Sequence, residues 1–236
     1  MFKDLLVTRS SRVSHRRTGQ DRIADGHSAL VMATPAFEGV FRRFTMNRVV
    51  TAAEGVDAPG LYARDPDALV VVEHVCVSHE AFATASRDPE YLSRVKADEE
   101  YIGREILTGP PVAYDVRERT VFDSGDAGAL RVFDFLARRE TVPVEAFLTA
   151  MRAEGERTAA DPAHRAVVRR QVHDRVTGDR PSLYAHDGTG HDLVVESWVT
   201  GFADLEPLHR TLRARYADLV DPDRSFSAFT LQQTIV

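Results

Sequence analysis

A ten-residue segment, Val40-Phe41-Arg42-Arg43-Phe44-Thr45-Met46-Asn47-Arg48-Val49, returns 127 residues later as Val167-Val168-Arg169-Arg170-Gln171-Val172-His173-Asp174-Arg175-Val176, identical at five of its ten positions. The register extends beyond the segment, because Thr34-Pro35 and Asp161-Pro162 each close five residues before the valine that opens it. Val71-Val72-Glu73 is matched by Val194-Val195-Glu196, and the halves end alike in Thr120-Val121-Phe122 and Thr234-Ile235-Val236. So long a period does not suit a solenoid and indicates a duplicated domain. A chain of 236 residues can supply two small domains. Asp123-Ser124-Gly125-Asp126-Ala127-Gly128 has linker composition, which predicts one half over residues 1–124 and the other over 129–236.

Each half reads as strand, helix, strand, strand, helix, strand. In the first, Phe2 to Thr8, Val40 to Val50, Leu69 to Val77 and Val112 to Phe122 are rich in β-branched and aromatic residues, as strands are. Helices are expected around Asp25 to Thr34 and over Glu80 to Ile102, the latter broken at Asp88-Pro89-Glu90. The second half repeats the pattern with strands Leu130–Ala137, Val167–Thr177, Leu193–Thr200 and Phe226–Val236 and helices Pro143–Ala159 and Phe202–Val220. This is the ferredoxin-like βαββαβ order. Its helices cover one face of the sheet, and a second copy of the same sheet is the expected cover for the other.

Composition narrows the partners. A net charge of −6 leaves no basic excess for a phosphate backbone, so nucleic acid is not expected. No window is long and apolar enough to span a membrane, and Met1 to Arg17 lacks the apolar core of a signal peptide. The single cysteine, Cys76, rules out an intramolecular disulfide, suits a reducing cytoplasm and reads as a small buried hydrophobe. No nucleophile elbow, phosphate loop or dinucleotide fingerprint occurs. His186 and His191 flank a glycine-rich turn without a third ligand at a recognisable spacing, so no metal site is expected.

His27-Ser28-Ala29-Leu30-Val31, Arg42-Arg43-Phe44-Thr45-Met46-Asn47-Arg48-Val49, Val71-Val72-Glu73 and Asp88-Pro89-Glu90-Tyr91 resemble, in order and spacing, the motifs of the EthD family of the dimeric α/β-barrel superfamily. Glu196-Ser197-Trp198 lies closer to the family's Glu-x-Trp strand than Glu73-His74-Val75 does. Ala29 stands where a proline is usual, and Glu154 takes the second half's equivalent of His27. The resemblance implies two tandem ferredoxin-like units whose antiparallel sheets pack into a barrel within one chain, as a monomeric pseudo-dimer or a homodimer of it. Members of the superfamily include isomerases, polyketide cyclases, monooxygenases that need no added cofactor and haem-handling enzymes. EthD-like proteins include decarboxylases and dehydratases of polyketide pathways. Fold does not choose among these.

Strand alternation sends Val194, Glu196 and Trp198 to the barrel interior, and by the repeat Phe44, Met46, Val71, Glu73 and Val75. An apolar barrel cavity with sparse polar groups, Glu73, Glu196, His173, Gln171 and Trp198, with His27 at its mouth, would suit a small hydrophobic or aromatic metabolite. A carboxylate desolvated there can work as an acid or base, and an imidazole titrates near neutrality. The expected catalytic residues are therefore Glu196, His173, Glu73 and His27, with Phe44, Met46, Gln171, Trp198, Arg42 and Arg169 contacting substrate. The expected activity is a cofactor-independent lyase or isomerase reaction on an aromatic or polyketide-like carbonyl compound. The alternatives are an oxidative enzyme, with haem on His173 or His27 or without any cofactor, and a non-catalytic carrier of a hydrophobic metabolite. The repeated glutamates can instead pair with the repeated arginines Arg42, Arg43, Arg169 and Arg170.

Overall fold

The computed structural model describes residues 1–236 except 13–15, 55, 57, 126–127 and 178–189. The first half runs β1 (Phe2–Arg9), α1 (Arg16–Asp21), a π-helical turn (Arg22–His27), α2 (Ser28–Met32), β2 (Phe41–Val49), β3 (Ala68–Cys76), α3 (His79–Ala85), a second π-helical turn (Tyr91–Val95), α4 (Lys96–Glu105) and β4 (Val112–Asp123). The second runs β5 (Leu130–Leu136), α5 (Val144–Ala160), α6 (Pro162–Val167), β6 (Val168–Val176), β7 (Leu193–Val199), α7 (Leu205–Tyr216) and β8 (Phe226–Thr234). Local chemistry sets several boundaries. Gly39 takes a positive φ of 71° at the turn into β2. Ser78 caps α3 through Ala81 N, and Asp161 caps α6 ahead of Pro162. None of the described helices is long and apolar enough to cross a membrane.

The strands form one closed sheet in the order β1-β3-β2-β8-β5-β7-β6-β4, every neighbouring pair antiparallel. This corrects the expected architecture of two four-stranded sheets packed against each other. β2 pairs with β8 from Thr45↔Thr234 to Val49↔Thr230, and β4 pairs with β6 from Val116↔Val176 to Asp123↔Arg170. The halves are therefore joined by backbone hydrogen bonds, with no boundary between sheets. Two packed sheets would leave four strands with unpaired backbone groups, whereas closure removes every edge. The duplication persists in detail: β2 and β6 are irregular at matching places, Phe41/Arg43 and Val168/Arg170.

The barrel interior is filled by side chains from both halves. One end is apolar, with Leu5, Val71, Tyr114, Phe133, Phe135 and Val194 among its members. The other end is ionic and is described below. Helices and loops cover the outside. In the first half a large cluster including Phe41, Phe44, Met46 and Phe82 lies between the sheet and its helices. In the second half Phe147 and Met151 of α5 pack against Leu136, Leu193 and Val195, and Leu61 from the β2–β3 loop joins them.

Candidate functional site

The expected substrate cavity is the barrel interior, but a chamber with mostly apolar walls lies outside the sheet. About 460 Å³ opens between the outer face of β1, β2 and β3 and the first half's helices. Its wall includes Leu6, Phe44, Met46, Val72 and His74 from the strands and His27, Phe82 and Tyr91 from the helical side. Phe44 and Met46 thus face the helices, and not the barrel as expected. Alternation fixes only which residues share a face, and shifting the assignment by one residue exchanges the faces. Thr45 and Asn47 are the inward residues of β2, and Thr45 Oγ1 donates to Glu73 over 2.9 Å.

Two imidazoles line this chamber, each anchored by a carboxylate. His27 Nδ1 lies 2.9 Å from Asp98 Oδ2, and His74 Nδ1 lies 3.0 Å from Asp4 Oδ1. A carboxylate can only accept, so each ring carries its proton on Nδ1. Both histidines line the chamber, and the hydrogen bonds found for their rings among the described residues are those made by Nδ1. Arg22 donates to the other oxygen of Asp98. Arg22 and His27 open and close one π-helical turn, whose i to i+5 bonding brings residues five apart to the same side, and such turns often accompany functional sites. A Cβ on Gly26 would come 2.5 Å from the Arg22 guanidinium, so glycine there leaves that side chain its place.

Burial pushes the His27 imidazole down to about 4, with His74 and Arg22 adding to the effect and Glu99 opposing it. At neutral pH His27 is therefore uncharged, a neutral imidazole in the wall of the chamber. The floor is aromatic. The His74 ring lies 4.8 Å from Phe44, 5.4 Å from Phe41 and 5.5 Å from Phe82, and Phe37 stacks on Phe41 at 5.4 Å. Exposed Lys96 and Arg87 stand at the rim.

The other expected site residues lie elsewhere. Glu73 and Glu196 point into the barrel, as expected, but into an ion cluster. Lys3 Nζ reaches Glu73 and Glu196 at 3.1 Å and Glu118 and Asp174 at 2.8 Å. Arg131, fully buried, joins Glu73 to Glu196, and Arg43 bridges Glu73 and Glu118 at 2.8 and 2.7 Å. Burial opposes ionisation of Glu73, but Arg131, Lys3 and Arg43 outweigh it and hold its pKa well below the usual range. Asp174 goes the other way, held well above its ordinary value by burial and then by the Glu196 charge. Asp174 is thus the carboxyl of the cluster readiest to take up a proton, and with it neutral three cations (Lys3, Arg43, Arg131) would face three anions (Glu73, Glu118, Glu196). Trp198 closes it, with the Arg131 guanidinium 4.1 Å from its ring and its Nε1 donating to Gln232 over 2.9 Å.

His173 does not join Glu196. It stands opposite Val195, while Val172 stands opposite Glu196, so the two lie on opposite faces of the sheet. His173 and Gln171 face α5. A Cβ on Gly155 would come 3.0 Å from His173 Cε1, so this helix lies directly on the strand where the first half has its chamber. Gln171 accepts from Thr158 Oγ1 over 2.9 Å. Arg42 and Arg169 are exposed on the outside. His191 Nδ1 lies 3.1 Å from the Tyr114 hydroxyl, His186 falls outside the described residues, and no three ligating side chains cluster among those described. The structure thus gathers His27, Phe44 and Met46 and adds His74, Asp98, Arg22 and Tyr91, which the sequence motifs did not single out as site residues.

Residues 16–102, which contain His27, His74, Tyr91 and Asp98, match the family model for the EthD domain. A search of curated proteins gives no match. Among solved structures, an anthrone oxidase-like protein is 13% identical with a TM-score of 0.62, over 99% of this chain and 92% of that one. A candidate monooxygenase from Fusobacterium nucleatum subsp. nucleatum is 8% identical with a TM-score of 0.58, over 99% and 93%. A candidate chlorite dismutase is 11% identical with a TM-score of 0.53, over 98% and 94%. Likeness at these identities establishes the fold. Residues 16–102 thus match the EthD domain, and the chain along nearly its whole length shares the fold of these solved structures.

Proposed function

We propose that this protein is an oxidative enzyme that deprotonates an aromatic or polyketide-like carbonyl compound in the first half's chamber and passes the resulting carbanion to dioxygen. The observation that carries the proposal is His27 in the wall of the chamber, its Nδ1 held by Asp98 and its ring kept uncharged by burial. A neutral, oriented imidazole of this kind is a general base. The kinship in fold with a protein described as anthrone oxidase-like supports the oxidative outcome and a polycyclic substrate class. In the reaction His27 takes a proton from an activated methylene, and the electron pair enters the conjugated ring system as an enolate. Dioxygen accepts the electrons; the methylene becomes a carbonyl with one oxygen atom, and the other leaves as water.

Haem is the cofactor that the superfamily allows. An imidazole with Nδ1 held by a carboxylate has the surroundings of a metal-ligating histidine, so His27 would hold the iron, and bound haem would supply oxygen activation. A Soret band in the purified protein would give His27 that role in place of the base.

The test is an oxygen electrode with anthrone as substrate. Expected is uptake of one dioxygen per anthraquinone formed, above the uncatalysed rate. Lyase and isomerase chemistry would begin with the same proton transfer and consume no dioxygen. Turnover of a carbonyl substrate with no oxygen uptake would overturn the proposal.

A further inference from the structure

Arg22 and Asp98 stand behind the chamber wall, not in it, and reach its imidazole from there. α4 turns Lys96, Glu99, Ile102 and Gly103 toward the chamber and sets Asp98 and Tyr101, one turn apart, against the π-helical turn. Asp98 is buried, and among the described residues its carboxylate meets two donors, Arg22 at Oδ1 and His27 Nδ1 at Oδ2. Glu99, the other carboxylate near His27, has its oxygens on the Tyr91 hydroxyl at 2.6 Å and on Lys96 at 3.0 Å. The Arg22 guanidinium is located by the Asp98 carboxylate, by the Tyr101 ring 5.8 Å away, and by Gly26, whose missing Cβ leaves it room.

A guanidinium has only donors and stays charged, so the oxygen it holds is committed as an acceptor. The second oxygen is then the one left for His27, where it puts the ring proton on Nδ1 and leaves Nε2 bare. From this we infer that Arg22 is a positioning residue for His27: acting through Asp98, it fixes which of the two ring nitrogens is free to take a proton. A neutral imidazole with the opposite arrangement carries an N–H where the base must be and accepts nothing there. The inference rests on the proposed function only in taking His27 as the base, and the tautomer is measured without substrate.

The role of Arg22 shows when the group between it and His27 is made ambiguous. In Asp98→Asn the side chain keeps its shape but has one accepting and one donating end. Arg22 can be met only by the oxygen, which turns the NH2 toward His27; Nδ1 must then accept, and the ring proton moves to Nε2. In Arg22→Gln/Asp98→Asn the amide at position 22 can donate or accept, so the amide at position 98 is free to turn and Nδ1 can keep its proton.

The test is nitrogen-15 NMR, at neutral pH, of the whole protein labelled in its histidines, with the His27 signals identified by their loss in His27→Gln. Expected is a protonated Nδ1 and a bare Nε2 in the wild type, the reverse in Asp98→Asn, and recovery of a protonated Nδ1 in Arg22→Gln/Asp98→Asn. Oxygen uptake with anthrone should follow the tautomer: kcat falls about a hundredfold or more in Asp98→Asn with KM within about threefold, and rises again about tenfold in the double variant. A wild-type His27 protonated on Nε2, alone or together with Nδ1, would overturn the inference with no variant needed. Asp98→Asn with the proton still on Nδ1, or a double variant with the same tautomer as Asp98→Asn, would remove Arg22 from the role. The expected tautomers in a protein that consumes no dioxygen would support the inference and sink the oxidative reaction alone.

Discussion

Replacing Glu196 with glutamine removes one charge from the ion cluster inside the barrel, and the cost depends on what Asp174 does next. Breaking a buried ion pair by removing one partner normally costs about 3–5 kcal/mol, because the other charge is left uncompensated. Here Lys3 Nζ lies 2.8 Å from Asp174 and 3.1 Å from Glu196, and the Glu196 charge is, after burial, the main cause that raises the Asp174 pKa; the prediction takes Asp174 as protonated while Glu196 is charged. Once Glu196 is neutral, Asp174 can ionise and restore three anions to three cations. Glu196→Gln should therefore cost only about 1–2 kcal/mol at pH 7, well short of the full penalty. Asp174→Asn replaces a neutral group by a neutral group and should cost about 1 kcal/mol or less. The double variant has no reserve charge and should lose about 3–5 kcal/mol, a coupling of about 2 kcal/mol between the sites. Equilibrium urea denaturation of the four proteins measures this, with the midpoint shifting and the slope unchanged. An Asp174→Asn variant as costly as Glu196→Gln, with additive effects in the double, would show that Asp174 is ionised and refute the reasoning.

With His27 pushed down to about 4, the acid limb of kcat/KM should fall near pH 4; a limb at or above 6.5 would assign the base to an unburied group. Burial also holds His164, His173 and His191 near 4. Unfolded histidines take up protons below about pH 6.5 and these folded ones do not, so stability should drop as pH falls from 6.5 to 4. The four act in the same direction, and Asp134 and Asp174, raised in the fold, oppose them. Urea midpoints that stay flat or rise on acidification through that window would contradict this. Residues 1–124 expressed alone leave β2 and β4 without β8 and β6, so the fragment should aggregate or homodimerise, and a folded monomer in size-exclusion chromatography would contradict the role given to closure.

The repeat makes much of the architecture legible. The doubled element order and the strand positions follow from Val40–Val49 and its echo at Val167–Val176, and the EthD resemblance from the segments around His27, Arg42 and Tyr91. Closure into one sheet is not legible, because pairing of β2 with β8 and β4 with β6 joins residues far apart in sequence that carry no mark of their partners. Face assignment fails at Phe44, Met46 and His173 for a related reason. An interior that holds Lys3, Arg131 and Asp174 reads in hydropathy as an exterior, so the apolar faces turned to the helices pass for the inside. His74 lies on the helix-covered face of β3 and borders the chamber, and nothing in its sequence neighbourhood distinguishes it from a buried core histidine. Asp98 and Arg22 become visible only once α4 and the π-helical turn are brought together, with Gly26 as the sole local trace.

The assignment of the site to the first half is tested most directly by oxygen uptake with anthrone in His27→Gln and His173→Gln, two histidines on the helix-covered face of opposite halves. Expected is loss of uptake in His27→Gln and retention in His173→Gln. Retention in His27→Gln, or loss confined to His173→Gln, would move the chemistry out of the chamber and contradict the account.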